Sequence, residues 1–388
     1  MAPVIKALEA CPEVISTVCV TGQHREMLDQ VLTLFGIEPA HDLNVMRRNK
    51  RLPDVVSAVM RGVNRVIDEA RPDRVLVHGD TSTAMAAAVA AFNRKVPVAH
   101  VEAGLRTHDL TRPWPEEFNR KVIDVASDLL FVPTLSAKRN LLAESATGRI
   151  VLTGNTVVDA LQSTVRRLDA DPALRAKVDA DLPAIGETRR LILVTGHRRE
   201  NLGAGLVSVC EALVRLAARE DVEIVYVLHL NPQVKGPVHK MLRGRPRIHL
   251  APPQSYLAFV RLMQRAYMVI TDSGGVQEEA PVLGTPVLVT RTETERPETL
   301  QTGATQLVGP GTSEIVAAAE ALLDDDVAYR AARAVHSPFG DGRAAERIVR
   351  ALLGEPVEEF NAARWAISPR ESVVALSRVA ARTRRRSG

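Results

Sequence analysis

No stretch of the 388-residue chain holds an apolar run near the ~20 residues that span a bilayer, so membrane-crossing helices are not expected. The opening Met1-Ala2-Pro3-Val4-Ile5-Lys6 lacks a long apolar core and a cleavage pattern, and no secretory signal is expected either. Cysteine is scarce: Cys11, Cys19 and Cys210 are the only three. They are odd in number and stand at no metal-ligand spacing, which excludes a disulfide framework and a cysteine metal site. They fit a reducing compartment, the cytoplasm, as small core residues. There is no Gly-x-Gly-x-x-Gly fingerprint, so bound NAD has no support, and neither cofactor nor metal is expected. Solenoid repeats and low-complexity segments before the tail are also lacking.

What the chain does have is length and an ordinary balance of residues. At roughly 100–200 residues per domain, its size predicts two domains with a sizeable core. Hydrophobic residues make up 46% and charged residues 25%, values of a globular protein rather than a disordered one. The formal net charge is +4, but much of the basic excess stands in Arg378, Arg382, Arg384, Arg385 and Arg386 near the carboxyl end. A short cationic run of this kind reads as a solvated tail, and nucleic acid is not expected as a partner.

Short β-branched runs alternate with longer segments of helical period, the pattern of parallel strands joined by crossover helices. The strands predicted in the first half are Val14–Val20, Arg74–His78, Val96–Val101, Leu129–Val132 and Ile150–Leu152. Between the first two, Val55, Val56, Val59, Met60, Val63, Val66 and Ile67 recur at helical steps and make one buried stripe. A polar stretch, 163–187, separates this half from strands at Leu191–Thr195, Glu223–Leu228, Arg247–Leu250, Met268–Thr271 and Pro286–Thr290. The fold class predicted is α/β, with two doubly wound Rossmann-like domains facing across a cleft, because ligands of open α/β sheets sit beyond the carboxyl ends of the strands. Before the first strand, Val4, Ile5 and Leu8 share one face of a helix-like segment. A doubly wound domain ordinarily opens on a strand instead.

The residues with chemistry follow the strands. Asp80 comes after Val75-Leu76-Val77-His78-Gly79, where a carboxylate either reaches a ligand or caps the next helix. Glu102 ends the next strand in His100-Val101-Glu102-Ala103-Gly104-Leu105-Arg106, with a salt bridge to Arg106 as its plain alternative. Glu116 and Glu117 follow Arg112-Pro113-Trp114-Pro115 and open a helix whose dipole favours acids at that end. Acids converging from neighbouring strand ends raise one another's pKa, which makes a carboxyl group useful as an acid near neutral pH.

In the second half, Thr195-Gly196-His197-Arg198-Arg199-Glu200-Asn201 follows a strand and pairs a proton-transferring histidine with arginines suited to phosphate. The strand Met268–Thr271 runs into Asp272-Ser273-Gly274-Gly275-Val276-Gln277-Glu278-Glu279. Small residues at such a turn expose backbone N–H groups at a helix start and make a seat for a pyrophosphate. Glu279, about a turn later, is placed to take both hydroxyls of a ribose.

The segments His78–Thr81, His100–Thr107, Pro113–Arg120, Val151–Val157, Gly196–Gly203, Thr271–Pro281 and Glu295–Glu298 resemble, in order and in gaps, the motif series of the non-hydrolysing UDP-N-acetylglucosamine 2-epimerases. The resemblance runs from Met1 to about Leu353 and implies the GT-B arrangement. Residues 1–160 would form an N-terminal domain carrying the acids, 161–345 a UDP-binding domain, 346–365 a helix returning to the first domain, and 366–388 a basic tail outside the fold. By position it implies that Asp80, Glu102, Glu116 and His197 are catalytic. Arg120, Ser273, Gly274, Gly275, Glu279 and Arg296 would bind UDP. Gln23, His24, Arg198 and His229 fall where some bacterial members hold a second, activating UDP-GlcNAc, and Glu26 stands where members so regulated carry a glutamine.

The resemblance further implies a cytoplasmic homodimer without cofactor that interconverts UDP-GlcNAc and UDP-ManNAc for cell-surface polysaccharide precursors. The route would be anti elimination of UDP to 2-acetamidoglucal, then re-addition. Members of that family carry, ahead of the segment matching Met1–Val4, a first strand and a Gly-Thr-Arg-Pro-Glu turn whose arginine contacts UDP. This sequence has neither, so one alternative is a UDP-sugar binder without turnover. Another is a GT-B glycosyltransferase, against which the set of acids speaks. A hydrolysing epimerase is disfavoured by Val101–Arg106 and Trp114–Glu117.

Overall fold

The computed structural model describes residues 1–361 except 23–24, 46–50, 187, 197, 199–200, 295 and 334–336. The expected basic tail therefore lies outside the described residues. The chain divides into two compact units, one made of Met1–Ala160 with the segment that begins at Phe339, the other starting with Leu161–Pro338.

The strands of the first unit are β1 (Cys19–Val20), β2 (His41–Asp42), β3 (Val75–His78), β4 (Val98–Val101), β5 (Leu129–Val132) and β6 (Arg149–Leu152). Among the described residues they form two parallel sheets rather than one, a pair β1-β2 and a row β3-β4-β5-β6. The predicted strand Val14–Val20 shrinks to its last two residues, and Ile15 is 96% exposed. A segment whose apolar side chain finds no neighbour has nothing to hold it in a ladder. The partner, His41–Asp42, carries no β-branched residue and no sequence signal, and is held as a strand by pairing with β1.

Alternation along the strands sorts the core onto two faces. Leu76, Ala99, Val101, Phe131 and Val151 pack with Val4 and Leu8 of helix Ala2–Glu9 and with Ile348 and Val349 of helix Ala344–Leu352. Val77 and Val98 face the other way, toward helices Leu52–Ala70, Ser82–Asn93 and Glu116–Ala126. The helical stripe read from the sequence is buried there at Val55, Val59, Val63 and Ile67.

The second unit holds β7 (Arg190–Thr195), β8 (Val222–Val227), β9 (Ile248–Ala251), β10 (Met268–Thr271), β11 (Val287–Val289) and β12 (Thr305–Leu307). All are parallel, in the order β12-β11-β10-β7-β8-β9. The chain winds outward from β7 to β9, then crosses back to β10 and winds the other way. The reversal between β7 and β10 is a topological switch point, where open α/β sheets bind ligands. Ile192, Val194, Ile224 and Tyr226 line one face of this sheet and Leu191, Leu193, Val225 and Val227 the other. Each wholly buried aliphatic side chain contributes about 1.5–3 kcal/mol.

The polar stretch 163–187 is not a linker through most of its length. Helices Thr156–Ala170 and Pro172–Asp181 run through it, and Leu161, Leu168, Val178 and Leu182 bury themselves against the second unit's sheet. Asp171 caps the second of these helices by accepting the Leu174 N–H at 2.9 Å. The many Asp and Arg residues are the outer faces of amphipathic helices, which composition alone does not separate from a loop. No helix among the described residues is long and apolar enough to cross a membrane.

Candidate active site

In the first unit the acids gather at the carboxyl ends of β3 and β4. β3 runs into Gly79, whose φ of +69° reverses the chain at little cost because glycine has no Cβ. Thr81, not Asp80, caps helix Ser82–Asn93, accepting the Ala84 N–H at 3.2 Å. The Asp80 carboxylate is thereby left to pair with Arg120, while Asn119 donates its side-chain amide to the Asp80 carbonyl at 2.9 Å.

Glu102, the first residue after β4, has φ +70°. A non-glycine residue held there costs of order 1–3 kcal/mol and persists where its surroundings dictate it, which is common at functional sites. Its Oε2 lies 3.4 Å from Nε2 of His78 and its Oε1 accepts from Asn155 Nδ2 at 3.4 Å. Burial above all pushes the His78 ring well below the usual histidine range, so Glu102 faces a neutral imidazole. Arg106 does not serve Glu102. Its buried guanidinium goes to Asp124 at 2.8 Å and Glu144 at 2.7 Å, which removes the plain alternative for Glu102.

Glu116 and Glu117 open helix Glu116–Ala126 and have separate fates. Glu117 is 0% exposed and fully engaged, accepting the N–H groups of Thr107 at 3.0 Å and His108 at 3.1 Å and pairing with Arg120 at 3.2 Å. Glu116 keeps one buried oxygen, Oε2, with no hydrogen-bond partner among the described residues. A desolvated carboxylate oxygen with no donor is chemically available, whereas Glu117 is structural.

In the second unit the predicted phosphate seat lies at the switch point. Ser273 precedes helix Gly274–Val282 and makes no side-chain cap bond to it, so the first N–H groups of that helix keep their affinity for an anion. A Cβ at Gly274 would lie 3.7 Å from Nη2 of Arg198 and 4.0 Å from Nη2 of Arg296. Two guanidinium groups thus flank the helix start. Arg296 is also paired with Glu278. Asp272 braces the seat from below, accepting the Arg198 backbone N–H at 3.0 Å and the Asn201 side-chain amide at 3.2 Å. Gly275 is exposed, and among the described residues nothing lies within 4 Å of a Cβ built on it, so their packing does not call for its smallness.

Glu279 follows on the same helix, 7% exposed, and accepts the hydroxyl of the half-buried Tyr256 at 2.7 Å. Burial raises its pKa to about 7, the Tyr256 hydrogen bond opposes the rise, and the neighbouring Glu278 adds to it. Tyr256 carries no sequence signal linking it to Glu279. Their meeting depends on how helix Tyr256–Arg265 lies against the sheet.

Of the other predicted positions, His197, Gln23 and His24 lie outside the described residues. His229 is exposed beyond the carboxyl end of β8 and its Nδ1 accepts the Asn231 N–H at 3.1 Å. Arg198, which the resemblance implies for a second nucleotide, stands beside Gly274. Among the described residues no group of three or more His, Cys, Asp or Glu is placed to hold a metal ion.

Comparison with known proteins agrees with this architecture. UDP-N-acetylglucosamine 2-epimerases of Escherichia coli strain K12 and Yersinia pestis are each 47% identical to the chain, over 354 residues (91% of this chain, 94% of the other) and 359 residues (92% and 96%). The crystal structure of the Neisseria meningitidis UDP-GlcNAc 2-epimerase bound to UDP-GlcNAc matches with a TM-score of 0.86 at 43% identity, covering 92% of this chain and 96% of that one. Residues 6–353 match the sequence pattern of UDP-N-acetylglucosamine 2-epimerases, and the chain belongs to that family.

Proposed function

We propose that this chain is an isomerase that interconverts UDP-GlcNAc and UDP-ManNAc, working in the cytoplasm toward cell-surface polysaccharide precursors. Family membership supports the epimerase activity, and the relative from Neisseria meningitidis was solved with UDP-GlcNAc bound. In this reading the helix start at Ser273–Gly275, with Arg198 and Arg296 beside Gly274, takes the diphosphate, and Glu279 takes the ribose.

The reaction is elimination and re-addition. A carboxylate removes the proton from carbon 2 of the sugar as the bond from carbon 1 to the UDP oxygen breaks, giving 2-acetamidoglucal and UDP. An acid then returns a proton to carbon 2 from the opposite face, and the UDP oxygen adds back to carbon 1. That proton is weakly acidic, so the charge building on the leaving diphosphate needs the fixed donors of the helix start and the guanidinium groups. Acid and base on opposite faces call for more than one carboxyl group, drawn here from Asp80, Glu102 and Glu116, with His197 as a further proton carrier.

The observation that carries this reading is that Asp80 and Glu102 stand at adjacent strand ends while Glu116 keeps a buried oxygen that no described residue claims. Transfer of an intact sugar to an acceptor would not require such a set. UDP-GlcNAc incubated with the protein in deuterium oxide should yield UDP-ManNAc with deuterium at carbon 2, followed by proton NMR. Product formed without label, or binding without product, would reject the scheme.

A homodimer belongs to the same proposal. Phe92 at 60%, Phe118 at 49% and Val125 at 84% exposure stand on helices Ser82–Asn93 and Glu116–Ala126, which pack side by side, and these large apolar side chains are left to solvent. Light scattering should give twice the chain mass, and the double substitution Phe118→Glu, Val125→Glu should give a monomer.

A further inference from the structure

Both oxygens of the Glu102 carboxylate are met from elsewhere in the first unit: His78 Nε2 stands 3.4 Å from Oε2, and Asn155 Nδ2 donates to Oε1 at 3.4 Å. Asn155 is 5% exposed and lies just beyond β6, so its amide reaches Glu102 across the end of β5. The rest of the residue is tied down. Its Oδ1 accepts the Val157 N–H at 3.1 Å, closing an Asx turn, and its own backbone N–H donates to the carbonyl oxygen of Phe339 at 2.5 Å. Gly154, at φ +83°, lets the two backbones touch: a Cβ on it would lie 3.1 Å from Cα of Gly340 and 3.3 Å from the Phe339 oxygen. Arg347, on helix Ala344–Leu352, donates to the Thr153 carbonyl at 3.1 Å and to Asp341 at 2.7 Å. The segment that returns to this unit at Phe339 therefore grips the turn after β6 on both sides of Gly154.

We infer that Asn155 is a positioning residue for Glu102, through which the returning segment Phe339–Arg347 fixes the direction of that carboxylate. Glu102 has little else to aim it. It stands at φ +70°, a backbone conformation that non-glycine residues rarely hold, and its side chain is 21% exposed. Arg106, the nearest cation in sequence, is committed to Asp124 and Glu144. A hydrogen bond of 3.4 Å is weak in energy. Its use is in aim, because a displacement of about 1 Å at a reacting group can cost a hundredfold in rate. The sequence shows Asn155 within the Val151–Val157 motif but gives no sign that its partners, Glu102 and Phe339, come from opposite directions along the chain.

Only the kinetic consequence of this inference rests on the epimerase reading. Asn155→Asp keeps the size of the side chain and the oxygen that accepts the Val157 N–H, but has no amide to give to Glu102. Asn155→Ser keeps an accepting oxygen and is too short to reach. Both should lower kcat for UDP-GlcNAc about tenfold or more, with KM and the calorimetric affinity for UDP within about threefold. A residue that only closed the turn would leave kcat as it is in Asn155→Asp, and that result in the folded variant would overturn the inference. A loss of UDP affinity as large as the loss of kcat would overturn it too, since it would mark a general loss of structure. A second measurement needs no turnover. With asparagine nitrogen-15 labelling, the side-chain amide signal absent from the spectrum of either variant belongs to Asn155 in the wild-type protein. That signal should move in Glu102→Ala, and a signal indifferent to the change would overturn the inference. A wild-type protein with no turnover would sink the epimerase reading, while the amide signal would still decide whether Asn155 holds Glu102.

Discussion

Asp80 and Arg120, 40 residues apart in the chain, form an ion pair at the carboxyl end of β3, and the same guanidinium reaches back 3.2 Å to the buried Glu117. One cation therefore serves an acid that is proposed to do chemistry and an acid that holds a loop. The arrangement sets Asp80 relative to the start of helix Glu116–Ala126, so removing Arg120 should affect both stability and turnover.

Arg120→Met leaves the buried Glu117 without its cation, and stranding a buried charge costs about 3–5 kcal/mol. Urea unfolding followed by circular dichroism should show a matching fall in midpoint. Arg120→Lys keeps the charge but not the planar fork that spans two carboxylates, and should lose less stability while still lowering kcat. A midpoint unmoved in the methionine variant would mean that Glu117 does not depend on this pair.

Neighbouring glutamates should separate cleanly. Glu116→Gln is expected to cut kcat by about 10²–10⁴ while stability stays within about 0.5 kcal/mol, because Oε2 makes no hydrogen bond among the described residues that folding would miss. Glu117→Gln should instead destabilise by about 1–3 kcal/mol, since it weakens the hold on the Thr107 and His108 N–H groups and on Arg120. Steady-state kinetics and thermal melting on both variants would reveal the opposite ranking if the assignment is wrong.

Glu279 should impose a pH limit on substrate capture. With its pKa raised to about 7 by burial, it is protonated on the acid side and then offers one fewer acceptor to the ribose hydroxyls. The plot of kcat/KM against pH should fall as pH drops through about 7, and Glu279→Gln should flatten that limb at a lower plateau. The Tyr256 hydrogen bond stabilises the ionised form, so Tyr256→Phe should move the limb to higher pH. A shift in the other direction, or none, would contradict the pairing.

Gly274→Ala tests the phosphate seat. The added methyl clears both guanidinium groups, at 3.7 and 4.0 Å, but fills the space in which an anion would sit between them and the helix start. Alanine favours the helix, so the melting temperature should hold or rise slightly. Titration calorimetry with UDP should show affinity weakened about tenfold or more, a loss of about 1.4 kcal/mol. Undiminished UDP affinity would place the diphosphate elsewhere.

Much of this architecture is local and was therefore readable from the chain alone. Short continuous apolar runs mark strands such as Leu129–Val132 and Met268–Thr271, and a helical stripe marks Leu52–Ala70. The small residues after β10 announce an anion seat because glycine's freedom and a helix's free N–H groups belong to a few consecutive residues. The weak strands His41–Asp42 and Thr305–Leu307 escaped, since pairing rather than composition makes them.

What folding alone settled was the partner of each charge. The carboxylates of Asp80, Glu102, Glu116 and Glu117 look alike in sequence. Arg120 claims the first, His78 and Asn155 flank the second, the third keeps an oxygen free, and three donors consume the fourth. Those partners come from as far as 53 residues away, as for Asn155 and Glu102, or 24 residues, as for His100 and Asp124. Hydrogen bonds and charges act over a few ångströms of space, and the order of residues along a chain says which groups exist but not which of them come within that range.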